Sequence, residues 1–168
     1  MICDMYMDRI DEMREMVYQA QMRDKEEVRA FVRNLTSLVY DYKMIGMLYD
    51  FYLEDVEYHK QSRIDLHGAE ELVQHTLSFC AAFPDLRADV ENVIVSKVDE
   101  SFYKVFRRLR YRGTNTGPGA YGLPTGKSLE DNALNLSLFH LKKVGGAWKI
   151  VFEVNSDSED WLRRVQTA

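Results

Sequence analysis

Hydrophobic positions recur every three to four residues in the first half of the chain and every second residue in the second half, so the two halves predict different elements. From residue 1 to about 23, Met5, Ile10, Met13, Val17 and Ala20 keep helical spacing with charged residues between them, which predicts an amphipathic helix. Lys25 to Tyr40 repeats the pattern with Val28, Phe31, Val32, Leu35 and Leu38 or Val39 inward, and Asp24 is placed to cap it. A short helix from about Lys43 to Tyr52 is apolar nearly all round, as a helix wedged between a sheet and another helix would be. Val56 to Lys60 reads as a first strand with Tyr58 and His59 on opposite faces, and residues 61 to 67 read as a loop. Gly68 then leads a helix through Ala69, Leu72, Val73, Leu77, Phe79, Cys80 and Phe83 that Pro84 ends.

From Leu86 the period changes to two, and a hairpin at Asp99, Glu100 and Ser101 joins this strand to the next. That strand places Phe102, Lys104, Phe106, Arg108, Arg110 and Arg112 on one face and Tyr103, Val105, Arg107, Leu109 and Tyr111 on the other. It runs into a corner, Gly113 to Gly126, where glycines and prolines force sharp turns. Beyond it, Leu134, Leu136, Leu138 and His140 form the drier face of a strand opposite Asn135, Ser137, Phe139 and Leu141. Gly145 and Gly146 make a hairpin, and the last strand sets Trp148, Ile150, Phe152 and Val154 on one face before a polar turn and short helical tail from Asp157 to Arg164.

Helices first, then one strand, a helix and a four-strand meander is an α+β order, with helices on one side of a curved sheet that encloses an apolar hollow. At 168 residues and 46% hydrophobic the chain can bury a sizeable core, and no linker divides it. A net charge of −5 argues against nucleic-acid binding through phosphate neutralisation. Cys3 and Cys80 are too few and too far apart for a metal ribbon or disulfide framework; a reducing, cytoplasmic compartment is expected, with both cysteines as small hydrophobes. The N-terminus lacks the pattern of a signal peptide, and no apolar run is long enough to span a bilayer.

Phe83, Pro84, Asp85, Leu86 and Arg87 leading into an alternating strand, then Gly113 to Gly117, then Gly122 to Lys127, resemble the SnoaL-like polyketide cyclase group of the nuclear transport factor two-like superfamily. Leu48 to Tyr52 and Glu54 to His59 resemble the short helix and first strand of that superfamily. The resemblance covers about residues 25 to 160, leaving 1–23 as an N-terminal helical extension and 24–168 as the SnoaL-like domain. It implies a cone-shaped α+β barrel, often a homodimer through the outer face of the sheet, and a pocket for a small hydrophobic or carbonyl-containing molecule used without cofactor or metal. In the cyclases, an aspartate near the end of the last strand acts as general acid and base for an aldol closure, helped by a histidine. Here that aspartate falls near Ser158 with Asp157 or Glu159 beside it, and the Thr-His-Thr form of the corner reads Thr114, Asn115, Thr116.

Acid–base work needs titratable groups facing the hollow. The candidates are His140, at the end of the leucine face, Tyr58 or His59 on the first strand, and Asp157 in the last turn; each has a plain structural alternative as a rim, packing or surface group. Arg108 and Asn115 are candidate polarising groups and His67 a candidate at the start of its helix, with Phe106, Leu138 and Trp148 as hydrophobic lining. Two functions stand: a cofactor-independent cyclase, isomerase or dehydratase, or a ligand-binding or dimeric structural module of the same fold.

Overall fold

The computed structural model describes residues 2–60, 64–119, 122–129, 133–157 and 165. Three helices lead, α1 (Ile2–Gln19), α2 (Lys25–Tyr40) and α3 (Met47–Phe51), followed by β1 (Tyr52–Lys60) and β2 (Ile64–His67). After α4 (Gly68–Ala82) come β3 (Arg87–Asp99), β4 (Phe102–Arg112), β5 (Leu134–Val144) and β6 (Ala147–Asp157). The polar tail expected after Asp157, and the Cys3 side chain, lie outside what is described.

The strands form one curved, unclosed sheet in the order β2-β1-β6-β5-β4-β3. The meander is antiparallel throughout, and β1 joins it as a parallel neighbour of β6. Two expectations about extent change. The first strand starts at Tyr52 rather than Val56, at the expense of the short helix, and part of the expected loop is β2, which folds back with Leu66 opposite Tyr58. A four-residue strand of mixed polarity carries too little alternation to be read from sequence.

Helix α2 lies across the hollow side of the sheet because its apolar stripe is continuous. Val28, Phe31, Val32, Leu35, Leu38 and Val39 are all buried, against a sheet face carrying Tyr103, Val105, Leu109, Phe139 and Leu141. Its start is fixed by the Asp24 cap and by the Glu27 side chain reaching back to the link before it. The Glu27 amide donates to Asp24 Oδ1 at 2.8 Å, and the Glu27 carboxylate accepts the Gln21 and Arg23 amides, each at 2.9 Å. The cap therefore also fixes the link from α1. That helix packs on α2 through Ile10, Met13 and Val17, whereas Met5, expected on the same stripe, is 73% exposed.

The glycine-rich corner packs on the C-terminal end of α4. A Cβ at Gly117 would sit 1.8 Å from the Ala81 carbonyl oxygen, so only glycine allows this approach. Asn115 is buried there with its side chain fully used: its amide donates to the Ala82 carbonyl at 3.1 Å, and its Oδ1 accepts the Thr125 amide at 2.9 Å. No helix among the described residues is long and apolar enough to cross a membrane.

Candidate functional site

The concave face of the sheet is polar where the sequence led us to expect leucine. On β5 the buried residues are Asn135, Ser137, Phe139 and Leu141, and on β6 they are Ile150, Glu153 and Asn155. A bulge explains part of this. Leu141 pairs with Ile150 but His140 pairs with Phe152, so one residue of β6 is skipped and the facing alternation shifts there. Trp148 and Ile150 stay on the concave side, while Phe152 and Val154 pass to the other.

Arg107 stands at the centre of that face, between Val105 and Leu109 of β4, and is 7% exposed. Its Nη2 donates to Glu153 Oε1 at 3.1 Å, Nη1 to the Thr36 hydroxyl of α2 at 2.9 Å, and Nε to the Ser137 hydroxyl at 3.2 Å. Glu153, 1% exposed, also accepts the Tyr52 hydroxyl on Oε2 at 2.6 Å and the Asn155 amide on Oε1 at 3.1 Å. Thr36 in turn donates to the Val32 carbonyl at 2.7 Å. A guanidinium and a carboxylate are thus held away from water by polar neighbours on α2, β1, β5 and β6, as buried charges require.

Burial opposes the charge on Arg107, but Glu153 and the surrounding tyrosines outweigh it, and its pKa is raised above the ordinary value. The guanidinium is charged at any working pH. Burial raises Tyr52 and Tyr111 well above the ordinary tyrosine value and pushes Tyr40 up to about 12. These hydroxyls are neutral donors. Asn135, also buried, has an Oδ1 with no hydrogen-bond partner among the described residues.

Arg107, Tyr52, Thr36 and Tyr40 form the polar side of a hollow between α2 and the sheet, closed by Phe31, Leu35, Leu48, Phe139 and Ile150. Its free volume is about 20 Å³, enough for one water molecule.

The residues nominated from the sequence are not brought together. His140 lies on the convex face, its ring 5.1 Å from that of Phe102 and 5.0 Å from that of Phe152, and its pKa is lowered by burial and then by Lys104 and Lys142. This corrects the expected face. Leu134, Leu136 and Leu138 point outward with His140, because the network around Arg107 claims the polar side of the strand.

Arg108 is likewise convex, 2.7 Å from Glu91, and Phe106 and Leu138 share that surface. His59 is at the surface, 2.7 Å from Asp65, and His67 is exposed at the start of α4. Trp148 lines a different groove, Asn115 is locked in the corner, and the Asp157 side chain lies outside what is described. Tyr58 is buried on the concave wall.

Arg107, Glu153, Tyr52, Thr36, Ser137 and Asn155 were not singled out by sequence reasoning. The available signal was Arg107 itself, the single charge on the β4 face that holds Tyr103, Val105, Leu109 and Tyr111.

A curved sheet backed by helices, with a mixed polar and apolar hollow between them, defines a nuclear transport factor two-like α+β cone. The chain belongs to the SnoaL-like polyketide cyclase family, whose sequence model matches residues 26–153. No curated protein matches. Among solved structures it is similar to Aln2 from a Streptomyces species, at 16% identity and TM-score 0.63 over 86% of this chain and 99% of that one. It is also similar to a cystatin-like-fold protein from Caulobacter vibrioides, at 9% identity and TM-score 0.62 over 82% and 92% of the two chains. A hexachlorocyclohexane dehydrochlorinase (LinA) type 2 is similar at 14% and 0.60, over 76% and 83%. At these identities the likeness is one of fold.

Proposed function

We propose that the cone takes a small oxygen-bearing organic compound, its oxygen held by Arg107, and moves a proton next to a carbonyl through Tyr52 and Glu153 by acid–base chemistry, as in cyclisation, isomerisation or dehydration. The observation that carries this reading is the buried Arg107–Glu153 pair beside the hollow. A fold has little need of it, since apolar residues of equal volume are often as stable or more so in such a place. Arginine has five N–H groups, and three are accounted for by Ser137, Thr36 and Glu153, so two are available to polarise a carbonyl or hold an enolate. The Tyr52 hydroxyl can take a substrate proton while passing its own to Glu153.

The alternative, a module whose cone is simply core, is favoured by the free volume of about 20 Å³. A thermal-shift comparison separates them. A flat aromatic carbonyl compound should stabilise the wild type by about 2.7 kcal/mol at one hundred times its Kd and so raise its melting temperature, and should fail to do so for Arg107→Met/Glu153→Leu. If no such compound shifts the wild type and the double variant melts at the same temperature or higher, the pair is core and the reading falls.

The convex face supports a homodimer. Ile94 pairs with Phe106, Phe106 with Leu138 and Leu138 with Val154, so four apolar side chains form one unbroken row across β3 to β6. Ile94 is 54% exposed at one end of it. An exposed apolar row of this kind is what a two-fold contact can bury.

A further inference from the structure

A second hollow lies outside the first and is much larger. It has a volume of about 370 Å³ and is bounded by the end of α1 and its link to α2, by α3, and by the β5–β6 hairpin. Ligand sites for drug-sized molecules begin at about 300 Å³. Five of its twelve lining residues, Val17, Tyr18, Ala20, Gln21 and Met22, precede the segment that matches the family.

Four of its lining residues, Tyr18, Phe31, Phe51 and Trp148, are aromatic. The Trp148 indole donates to the Gln21 carbonyl at 3.0 Å and packs on Tyr103, 5.6 Å between rings. Tyr18 donates to Asp50 at 2.5 Å, a bond that with burial pushes its pKa up to about 12, and its ring lies 5.1 Å from that of Phe51. Lys143 also lines the groove.

Phe31 lines both hollows. One face of this α2 residue helps close the space beside Arg107 and Tyr52, and its ring meets Phe51 edge-on at 5.4 Å. A phenyl ring between an outer groove and an inner polar hollow is a partition that rotation about the side chain can shift without unfolding the helix.

We propose that this outer groove is a binding site for a flat aromatic or polycyclic compound, held between Trp148, Tyr18 and Phe51, and that Phe31 is the partition through which its oxygenated edge reaches Arg107. The second half rests on the reading that the inner hollow takes a ligand; the first does not. The preference for a ring system follows from the four aromatic side chains of the lining, Tyr18, Phe31, Phe51 and Trp148, and the oxygenated edge from the arginine behind the partition. The groove also supplies the volume that the inner hollow lacks. α1 is then part of the site, since its last turn forms the outer wall.

The test is a titration with the hydroxyanthraquinone emodin, read by quenching of Trp148 in a Trp161→Phe background so that one indole reports. Ala147→Phe fills the groove without adding an indole, Arg107→Met/Glu153→Leu removes the inner anchor without leaving a buried charge unpaired, and Phe31→Leu narrows the partition. Circular dichroism and the melting temperature check the fold of each variant. The expected result is saturable quenching that Ala147→Phe weakens about tenfold or more. A slower second phase in stopped flow should be faster in Phe31→Leu and absent in Arg107→Met/Glu153→Leu.

Absence of quenching at saturating emodin overturns the groove. If Ala147→Phe binds as the wild type does while Arg107→Met/Glu153→Leu loses binding, the compound reaches the inner hollow by another way; the groove is wrong and the proposed function stands. If Ala147→Phe weakens binding and Arg107→Met/Glu153→Leu changes neither phase, the groove stands and the passage to Arg107 falls.

Discussion

The two faces of one sheet carry opposite chemistry to what burial alone would assign. The concave face hides Arg107, Asn135, Ser137, Glu153 and Asn155, while the convex face shows Ile94, Phe106, Leu138 and Val154 to solvent. In an ordinary sheet covered on one side, the apolar residues of each strand face the cover. Here β5 is reversed over its first half, its leucines outward and its amide and hydroxyl inward. The inversion points to cover on both faces: a helix over a polar hollow on one and, in our reading, a second copy on the other. It also means that the residues with the most to lose from a wrong environment lie where water is scarcest.

The sharpest way to break this comparison is to remove one half of the concave pair. Glu153→Gln keeps the volume but leaves the Arg107 charge uncompensated and weakens the acceptor of the Tyr52 hydroxyl. We expect a loss of about 3–5 kcal/mol in chemical denaturation. The paired change Arg107→Met/Glu153→Leu should cost much less, because nothing charged is then left buried. If the single variant loses under 1 kcal/mol, roughly the scale of an exposed pair, the concave network is more solvated than its geometry indicates.

A smaller loss is expected at its edge. Thr36→Val keeps the shape of α2 but removes the acceptor of one guanidinium N–H, which should destabilise by about 1–3 kcal/mol. The neighbouring Ser37 donates instead to Asp41 at the end of the helix, so Ser37→Ala tests whether the effect belongs to the Arg107 contact or to any lost hydroxyl on α2.

These contacts also mark what could and could not be read from the letters. The stripes of α2 and α4, the hairpins at Asp99–Ser101 and Gly145–Gly146, and the strands from β3 onward were legible because each repeats one period over many residues. Face assignment on β5 was not. Leucines at 134, 136 and 138 outvote Asn135 and Ser137 on any hydrophobic count, and only Arg107, on the neighbouring strand, says which side is polar. The skipped residue between Phe152 and Ile150 has no sequence mark at all, since a bulge needs neither glycine nor proline. The same slip hid Glu153, which sits between Phe152 and Val154 and reads as the solvent side of a strand whose start, at Trp148 and Ile150, faces in. Asn115 misled in another way: the motif was in place, but its side chain is spent on holding the corner to α4.

On the convex side, Leu138→Lys places a charge in the middle of the apolar row, between Phe106 and Val154. The monomer should fold as before, because the side chain is already exposed, but self-association should weaken about tenfold to a hundredfold, as a desolvated charge at an interface centre does. Light scattering over a concentration series reads this directly. A wild type that stays monomeric at every concentration would remove the second cover from the comparison and leave the convex leucines unexplained.

The weakest expected effect is that of pH on the same face, and it separates the two sides most finely. His140 is flanked by Phe102 and Phe152 and faces Lys104 of β4 and Lys142 of β5, and burial followed by these two cations lowers its pKa below the ordinary value of 6.5. The unfolded chain therefore binds a proton on this histidine at a higher pH than the folded chain does. The folded state carries no penalty above the unfolded value and loses stability as pH falls through it toward the lower folded value. The Arg107 guanidinium should be silent over that window, because it stays charged throughout. His140→Gln should then flatten the decline in stability just below pH 6.5 while leaving the loss from Glu153→Gln unchanged; a decline that persists in His140→Gln would place the titrating group elsewhere.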